Sequence, residues 1–353
     1  MKIIHTSDLH LDSPLTARLD SGKVRERKNE LLLSFRKAVQ SACDAGADGF
    51  IIAGDLFDSE KVGKRTLKNV IDIIASSPKI SFFYLSGNHE KCALADSSAQ
   101  IPENLKLFKE DWTYYRLGDI NIIGRSETAP DMFSSLSLNE NEVNIIVLHG
   151  ELRDRSDFNG VIGKRDAEEI PADYLALGHY HSYSATKISR RMTAVYSGTP
   201  EGRGFDEAGP CGYVTLDING RSVSHRFTES AKRRLEIIEV DVTDLDSDIA
   251  VMNKIESAVS GISRESLIRV RLVGARELGR LFDTEAILSS LKDFYYYAEI
   301  KDESKLRINA DDFKNDISLK GEFIRSVLGD GTLSDSEKES VINLGLNVLM
   351  EEE

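Results

Sequence analysis

The chain has 353 residues, 41% hydrophobic and 29% charged, with a formal net charge of −14. That is the composition of a water-soluble globular protein with ample core, not of a disordered chain. No run of eighteen apolar residues excludes a spanning helix, and an acidic balance argues against an overall basic nucleic-acid binder. The acidic excess is uneven. From Ala231 onward about 17 Lys and Arg face 26 Asp and Glu, so roughly −9 of the charge lies in the last third. Bound divalent cations would offset most of what remains in the first two-thirds.

The N-terminus starts on an apolar run, Lys2-Ile3-Ile4, without the basic region, long apolar core and cleavage site of a secretory signal. Cys43, Cys92 and Cys211 are odd in number and scattered, which suits neither a disulfide framework nor a thiolate metal site and points to reducing cytoplasm. In chain order the pattern predicts a strand over Ile3–Thr6 and a helix over Arg25–Ala45. A strand over Gly49–Ala53, a helix over Leu67–Ala75 and a strand over Ile80–Leu85 follow. The strands are continuous apolar runs, as in a sheet covered on both faces. Later strands come faster, at Ile120–Ile123, Asn144–Leu148, Tyr174–Leu177, Ala194–Ser197, Gly212–Asp217 and Val223–Phe227. The fold class is α/β, a two-sheet sandwich with outer helices.

The polar segment Glu229–Arg234 marks a domain boundary, dividing residues 1–230 from a smaller α+β domain over 231–353. The latter reads strand, helix, strand, helix, strand: Leu235–Val242, Ile249–Val259, Leu267–Val273, Thr284–Leu291 and Phe294–Ile300. Two terminal helices close it, Ser318–Leu328 and Ser334–Met350. Ser334 and Glu337 have capping-box spacing. Tyr295-Tyr296-Tyr297 alternates in direction along a strand, so core packing is favoured over a base-stacking platform.

Five short motifs follow apolar strands: Asp8-Leu-His10, Gly54-Asp55, Gly87-Asn88-His89-Glu90, His149-Gly150 and Gly178-His179-Tyr-His181. Taken singly, an Asp-x-His is an ordinary cap and a Gly-Asn an ordinary turn. Together they collect five of the seven histidines at predicted strand ends, where sites of α/β sheets assemble. The glycines permit close backbone approach. Imidazoles mixed with carboxylates and an amide suit Mn, Fe or Zn better than an all-oxygen Mg or Ca cage. His5 and His225 fit no motif and read as structural.

In this order the motifs resemble the signature of calcineurin-like metallophosphoesterases. The resemblance implies two divalent metal ions, with Mn2+ expected. Asp8, His10 and His181 would hold one, Asn88, His149 and His179 the other, and Asp55 would bridge them. His89 would be catalytic, facing the phosphate or leaving group. Such ions activate water and offset charge on the attacking and leaving oxygens, and a proton from His89 adds ~10²–10⁴-fold.

Ile3–Leu11, Gly54-Asp-Leu-Phe-Asp58 and Tyr196-Ser-Gly-Thr-Pro-Glu-Gly-Arg203 resemble DNA-repair exonucleases of the SbcD and YhaO type. In that family a C-terminal capping domain follows the nuclease domain. The similarity implies DNA as substrate, an SbcC-like coiled-coil ATPase as partner, and a homodimer. Two departures stand out: Glu90 replaces an Asp common in SbcD-like proteins, and Asp58 stands where archaeal and eukaryotic relatives tend to carry a histidine. Asp58-Ser-Glu60 lacks the Asp-Arg-Gly of the protein phosphatases. Lys23, Arg25, Arg27 and Lys28, then Lys61, Lys64 and Arg65, and later Arg153, Arg155 and Arg203 are candidate phosphate contacts rimming the site. The terminal helices are amphipathic and would pack on the second domain or dock on the ATPase. A phosphodiesterase for a small nucleotide, and a scaffold that mainly recruits the ATPase, are the competing readings.

Overall fold

A computed structural model describes residues 1–15, 19–90, 94, 100–276, 282–307 and 313–351. The chain divides into two compact units, Met1–Leu235 and Glu236–Glu353. Cys92 lies outside the described residues; Cys43 and Cys211 carry free thiols. Among the described residues no helix is long and apolar enough to cross a membrane.

The first unit is built on two six-stranded sheets. In the first sheet, β1 (Lys2–Thr6), β2 (Gly49–Ala53), β3 (Ser81–Leu85) and β4 (Leu105–Leu107) run parallel. The second sheet contains β5 (Thr113–Leu117), β6 (Ile120–Gly124), β7 (Val143–His149), β10 (Tyr174–Gly178), β11 (Ser184–Lys187) and β12 (Thr193–Tyr196), with β8 (Glu151–Arg153) and β9 (Val161–Gly163) forming a separate ribbon. Its four inner strands, β6, β7, β10 and β12, are parallel, and antiparallel β5 and β11 flank them. The hairpin β13 (Gly212–Asn219) and β14 (Ser222–Glu229) returns to the first sheet, β13 antiparallel to β1.

Two-residue alternation distributes the apolar runs between layers. Ile3, Ile51, Phe83, Ile145, Val147 and Ala176 meet between the sheets. Ile4, Phe50, Ile52 and Phe82 face outward onto α1 (Ser21–Asp44) and α2 (Lys64–Ala75), contacting Leu31, Phe35 and Ile74. On the opposite outer face Leu148, Leu175 and Leu177 pack with Met132, Phe133 and Ala167, the last on α3 (Lys164–Glu168). Both faces of each sheet are therefore apolar, and the parallel strands of the two sheets end at a common edge.

α1 begins four residues before the expected Arg25, because Asp20 caps it by accepting from the backbone N–H of Gly22 and Lys23. Arg27 is not a phosphate contact. It is buried and paired with Glu30 and with Glu201 (2.7 Å), and it donates to Gly202 O at 2.7 Å. The 229–234 segment joins this network: Lys232 Nζ and Arg233 Nε reach Glu30 at 2.5 and 3.0 Å.

In the second unit, β15 (Leu235–Asp241), β16 (Leu267–Val273) and β18 (Tyr297–Asp302) form a three-stranded sheet, with β17 (Ala275–Arg276) and β19 (Lys305–Leu306) as a short pair. Val251 and Ile255 of α4 (Asp248–Val259) and Ile287 and Leu291 of α5 (Thr284–Lys292) pack on Ile268 and Val270. The strand expected from Phe294 starts at Tyr297, since the amides of Phe294 and Tyr295 turn back onto Leu291 O. Tyr295 is partly buried and packs against the core. α6 (Leu319–Gly329) and α7 (Asp335–Glu351) close on a small core of Ile324, Ile342 and Leu346.

Candidate metal centre

All five motifs lie at or just beyond the carboxyl ends of β1, β2, β3, β7 and β10. Past the strand ends the chain leaves regular geometry: Asp8, His10, Asp55 and His179 have φ of 54°, 44°, 51° and 116°. Non-glycine residues in this region carry strain, which clusters at functional sites. Cross-links hold them there, Asp8 N–H donating to Gly54 O (3.0 Å) and His10 N–H to Asp55 O (2.9 Å). Two glycines are required by close approach. A Cβ at Gly54 would lie 2.2 Å from His149 Nδ1, and one at Gly178 would lie 2.0 Å from Ala53 O. Those gaps let the buried His149 ring reach Ala53 O with Nδ1 at 2.9 Å.

Three clusters place potential ligand atoms within 4.8 Å of one another: Asp8, His10 and His181; Asp8, Asp55 and His149; His10, Asp58 and His89. Asp55 Oδ2 is the hub, 3.3 Å from His149 Nε2, 3.6 Å from His10 Nε2 and 4.0 Å from His89 Nε2. Asn88 Oδ1 is 2.9 Å from His149 Nε2, and the His149 and His179 rings are 5.6 Å apart, edge to face. His181 Nε2 is 4.0 Å from Asp8 Oδ1. The structure thus gathers Asp8, His10, Asp55, Asn88, His89, His149, His179 and His181 into one pocket. Asn88, His89 and His179 form its exposed side.

The electrostatics suit cation binding. Burial would raise the Asp55 carboxyl, but the hydrogen bond and charge of His149 hold it down at about 2, so it is ionised. Burial, reinforced by Arg203, pushes His10 down to about 3, leaving a neutral ring with a free lone pair. Neither buried ring nitrogen of His10 makes a hydrogen bond of good geometry: Nδ1 stands 3.1 Å from Asp58 Oδ1, and Nε2 reaches Asp55 Oδ2 only at 3.6 Å. A buried Nε2 left without a hydrogen bond is rare in a satisfied interior and fits a ligand whose missing partner is an ion. Burial would lower His149, yet Asp55 and Asp8 raise it to about 9: the acids attract positive charge to this point. Neutral imidazole, carboxylate and amide oxygen form a donor set for a first-row transition ion.

Several residues in the pocket's support were not singled out for these roles by the motifs. Glu90, fully buried, accepts from Leu56 N–H (2.9 Å) and Phe57 N–H (2.5 Å), and so ties the third motif loop to the second. Burial pushes its carboxyl up to about 8 against the pull of those amides. Glu207 contacts His181 Nδ1 at 2.7 Å, and Asp58 stands 3.1 Å from His10 Nδ1. Only the position of Asp58, three residues after Asp55, could have flagged such support from sequence. Arg203, expected to rim the site as a phosphate contact, stands beside His181, its Nη2 3.5 Å from His181 Nδ1. Its guanidinium is 13% exposed and pairs with Asp58 (3.1 Å) and Glu207 (2.5 Å), because those carboxylates are its nearest counter-charges.

The other expected phosphate contacts separate. Lys23 lies 4.0 Å from Asp20, and Arg153 pairs with Glu151 at 2.6 Å and covers the Phe158 ring. Arg25 lines a groove of about 410 Å³ with Lys28 and Arg65, next to Leu11 and Asp12. Among the described residues none of these three cations has an ion-pair partner.

A two-sheet α/β sandwich with His and Asp clustered at its strand ends around a candidate metal site is the architecture of a phosphoesterase. The calcineurin-like phosphoesterase pattern matches residues 1–198, and the chain belongs to that family. It is 25% identical to metallophosphoesterase YhaO of Bacillus subtilis over 77% of this chain and 71% of that protein. It is 29% identical to the DNA double-strand break repair protein Mre11 of Methanosarcina mazei over 64% of this chain, which spans only 38% of that relative. Identity to the SbcD component of the SbcCD nuclease of Staphylococcus saprophyticus is 26%, over 72% of this chain and 75% of that one.

Proposed function

We propose that the chain is a metal-dependent DNA nuclease, an exonuclease or endonuclease, which works in DNA repair with a coiled-coil ATPase in the cytoplasm. Asp8, His10 and His181 hold one ion and Asn88, His149 and His179 the other, with Asp55 between; manganese suits this donor set. When bound, the two ions supply Lewis acidity and offset charge on the attacking and leaving oxygens. His89 is the catalytic residue. Its side chain is 47% exposed and 4.0 Å from Asp55, open to substrate and placed to give a proton to the leaving oxygen.

The observation that carries the polymer reading is the groove of Arg25, Lys28 and Arg65 beside the residues following His10. A small phosphodiester has no use for a second, cation-lined channel outside the metal pocket, whereas a nucleic-acid strand has phosphates to fill it. Lys23 and Arg153 extend the positive rim. The Mre11 and SbcD relatives support the same reading. The ATPase reading is supported by an apolar groove of about 480 Å³ between α6 and α7, with Leu319 and Leu344 about 70% exposed, since an exposed apolar patch of that kind marks an interaction surface.

The test is hydrolysis of end-labelled single- and double-stranded DNA with Mn2+, beside bis-p-nitrophenyl phosphate and cyclic nucleotides. DNA cleavage that weakens steeply with salt and vanishes in His89→Ala supports the nuclease. Hydrolysis of the small esters alone, with and without the ATPase, overturns it.

A further inference from the structure

Behind the metal pocket, one guanidinium joins two carboxylates that each address an imidazole of the same proposed ion site. Arg203 Nη1 is 3.1 Å from Asp58 Oδ1; its Nε and Nη2 lie 2.9 and 2.5 Å from Glu207 Oε1. Asp58 Oδ1 is in turn 3.1 Å from His10 Nδ1, and Glu207 Oε1 is 2.7 Å from His181 Nδ1. The two rings stand 5.1 Å apart. Their opposite nitrogens point the other way, His10 Nε2 toward Asp55 and His181 Nε2 toward Asp8. Both imidazoles therefore turn Nδ1 to the bracket and Nε2 to the pocket.

The bracket has a fixed base. Arg203 N–H donates to Glu207 Oε2 at 2.6 Å, closing a tight local loop. Glu201, two residues before, is locked by Arg27 at 2.7 Å and accepts from Lys232 N–H at 2.6 Å. Glu207 is almost fully buried, so it cannot turn to water if its cation is withdrawn. A planar guanidinium serves both carboxylates at once through separate donors, which an ammonium does not.

We propose that Arg203 is a positioning residue that ties Asp58 and Glu207 into one bracket, fixing His10 and His181 so that both present Nε2 to the same ion. The inference rests on the ligand assignment proposed above. It gives Asp58, which departs from the relatives' histidine, a place in the metal site's support. Outer carboxylates that hold a ligating imidazole by its second nitrogen set its tautomer and direction, and their loss typically costs 10–100-fold in metal affinity.

The experiment is Mn2+ binding to the full-length protein by calorimetry, with electron paramagnetic resonance of the loaded protein, for wild type, Arg203→Ala, Arg203→Lys and His10→Ala. Wild type is expected to bind two ions with an exchange-coupled spectrum. Both Arg203 variants are expected to weaken one site about 10–100-fold, to retain the other, and to show the spectrum of an isolated ion at intermediate Mn2+. Trp112 fluorescence reports whether Arg203→Ala folds; should it not, Arg203→Lys, which keeps the charge and most of the length, decides. Two wild-type affinities in a folded Arg203 variant overturn the bracket while His10→Ala still loses one ion. Two retained ions in His10→Ala overturn instead the ligand assignment beneath it.

Discussion

Replacing Glu90 by alanine removes the carboxylate that joins the second and third motif loops, and the structure sets the scale of the damage. Glu90 is fully buried and receives Leu56 N–H at 2.9 Å and Phe57 N–H at 2.5 Å. With the acceptors gone, two buried amides are left unpaired at ~1–3 kcal/mol each, a loss of about 2–6 kcal/mol in total. Glu90→Gln keeps one carbonyl oxygen and turns an NH2 toward the other amide, so about half that loss is expected. The assay is urea unfolding followed by Trp112, the sole tryptophan, which lies in the first unit, donating its Nε1–H to Met132 O at 3.0 Å. With an m-value near ~3 kcal/mol per M, the midpoint of Glu90→Ala drops by roughly 0.7–2 M. Because Asp55 and Asn88 lie on the two loops it joins, metal affinity falls with it. A midpoint within about 0.2 M of wild type, with unchanged metal binding, would refute the reasoning.

His89→Ala is expected to keep both metal ions and lose hydrolysis by ~10²–10⁴-fold; metal analysis beside a kcat measurement checks this, and retained turnover removes His89 from the mechanism. Asp55→Asn is expected to lose both ions together in metal analysis, because the proposed bridging carboxylate would serve both; a variant that keeps two ions contradicts the bridge. His5, held against Tyr174 Oη at 3.0 Å, is pushed down by burial to about 3. Its contribution to stability is therefore fully present above about 6.5, its unfolded value, and is lost as pH falls toward 3, at ~1.4 kcal/mol per pH unit. His5→Gln is expected to flatten that stretch of the urea-midpoint profile; an identical profile would show that the ring is protonated in the fold.

Much of the sandwich is legible because its inner strands are unbroken apolar runs whose ends carry Asp, His, Asn and Gly, residues with no place in a covered sheet. The strands that escape reading are short or polar. β11, Ser184-Ala-Thr-Lys187, is exposed throughout, and β8 and β9 have three residues each, too few to show a period. The pocket's inner residues are legible for a different reason than its support. Asp8, His10 and His181 announce themselves by type and by position after a strand. Glu207 and Arg203 are ordinary charged residues until the fold brings them to His181 and Asp58, with 145 positions separating Arg203 from Asp58. Glu90 reads in sequence as a longer replacement for aspartate; its additional methylene is spent reaching amides 33 and 34 residues away. Arg27 shows the converse error, a cation expected at the surface because nothing local reveals Glu201 174 positions on.

The measurement that tests the account most directly is anomalous diffraction at the manganese edge from crystals soaked in Mn2+. Two peaks about 3.5–4 Å apart are expected on either side of Asp55, one against Asp8, His10 and His181 and the other against Asn88, His149 and His179. A single peak, or ions bound away from Asp55, would contradict the two-metal centre and the chemistry built on it.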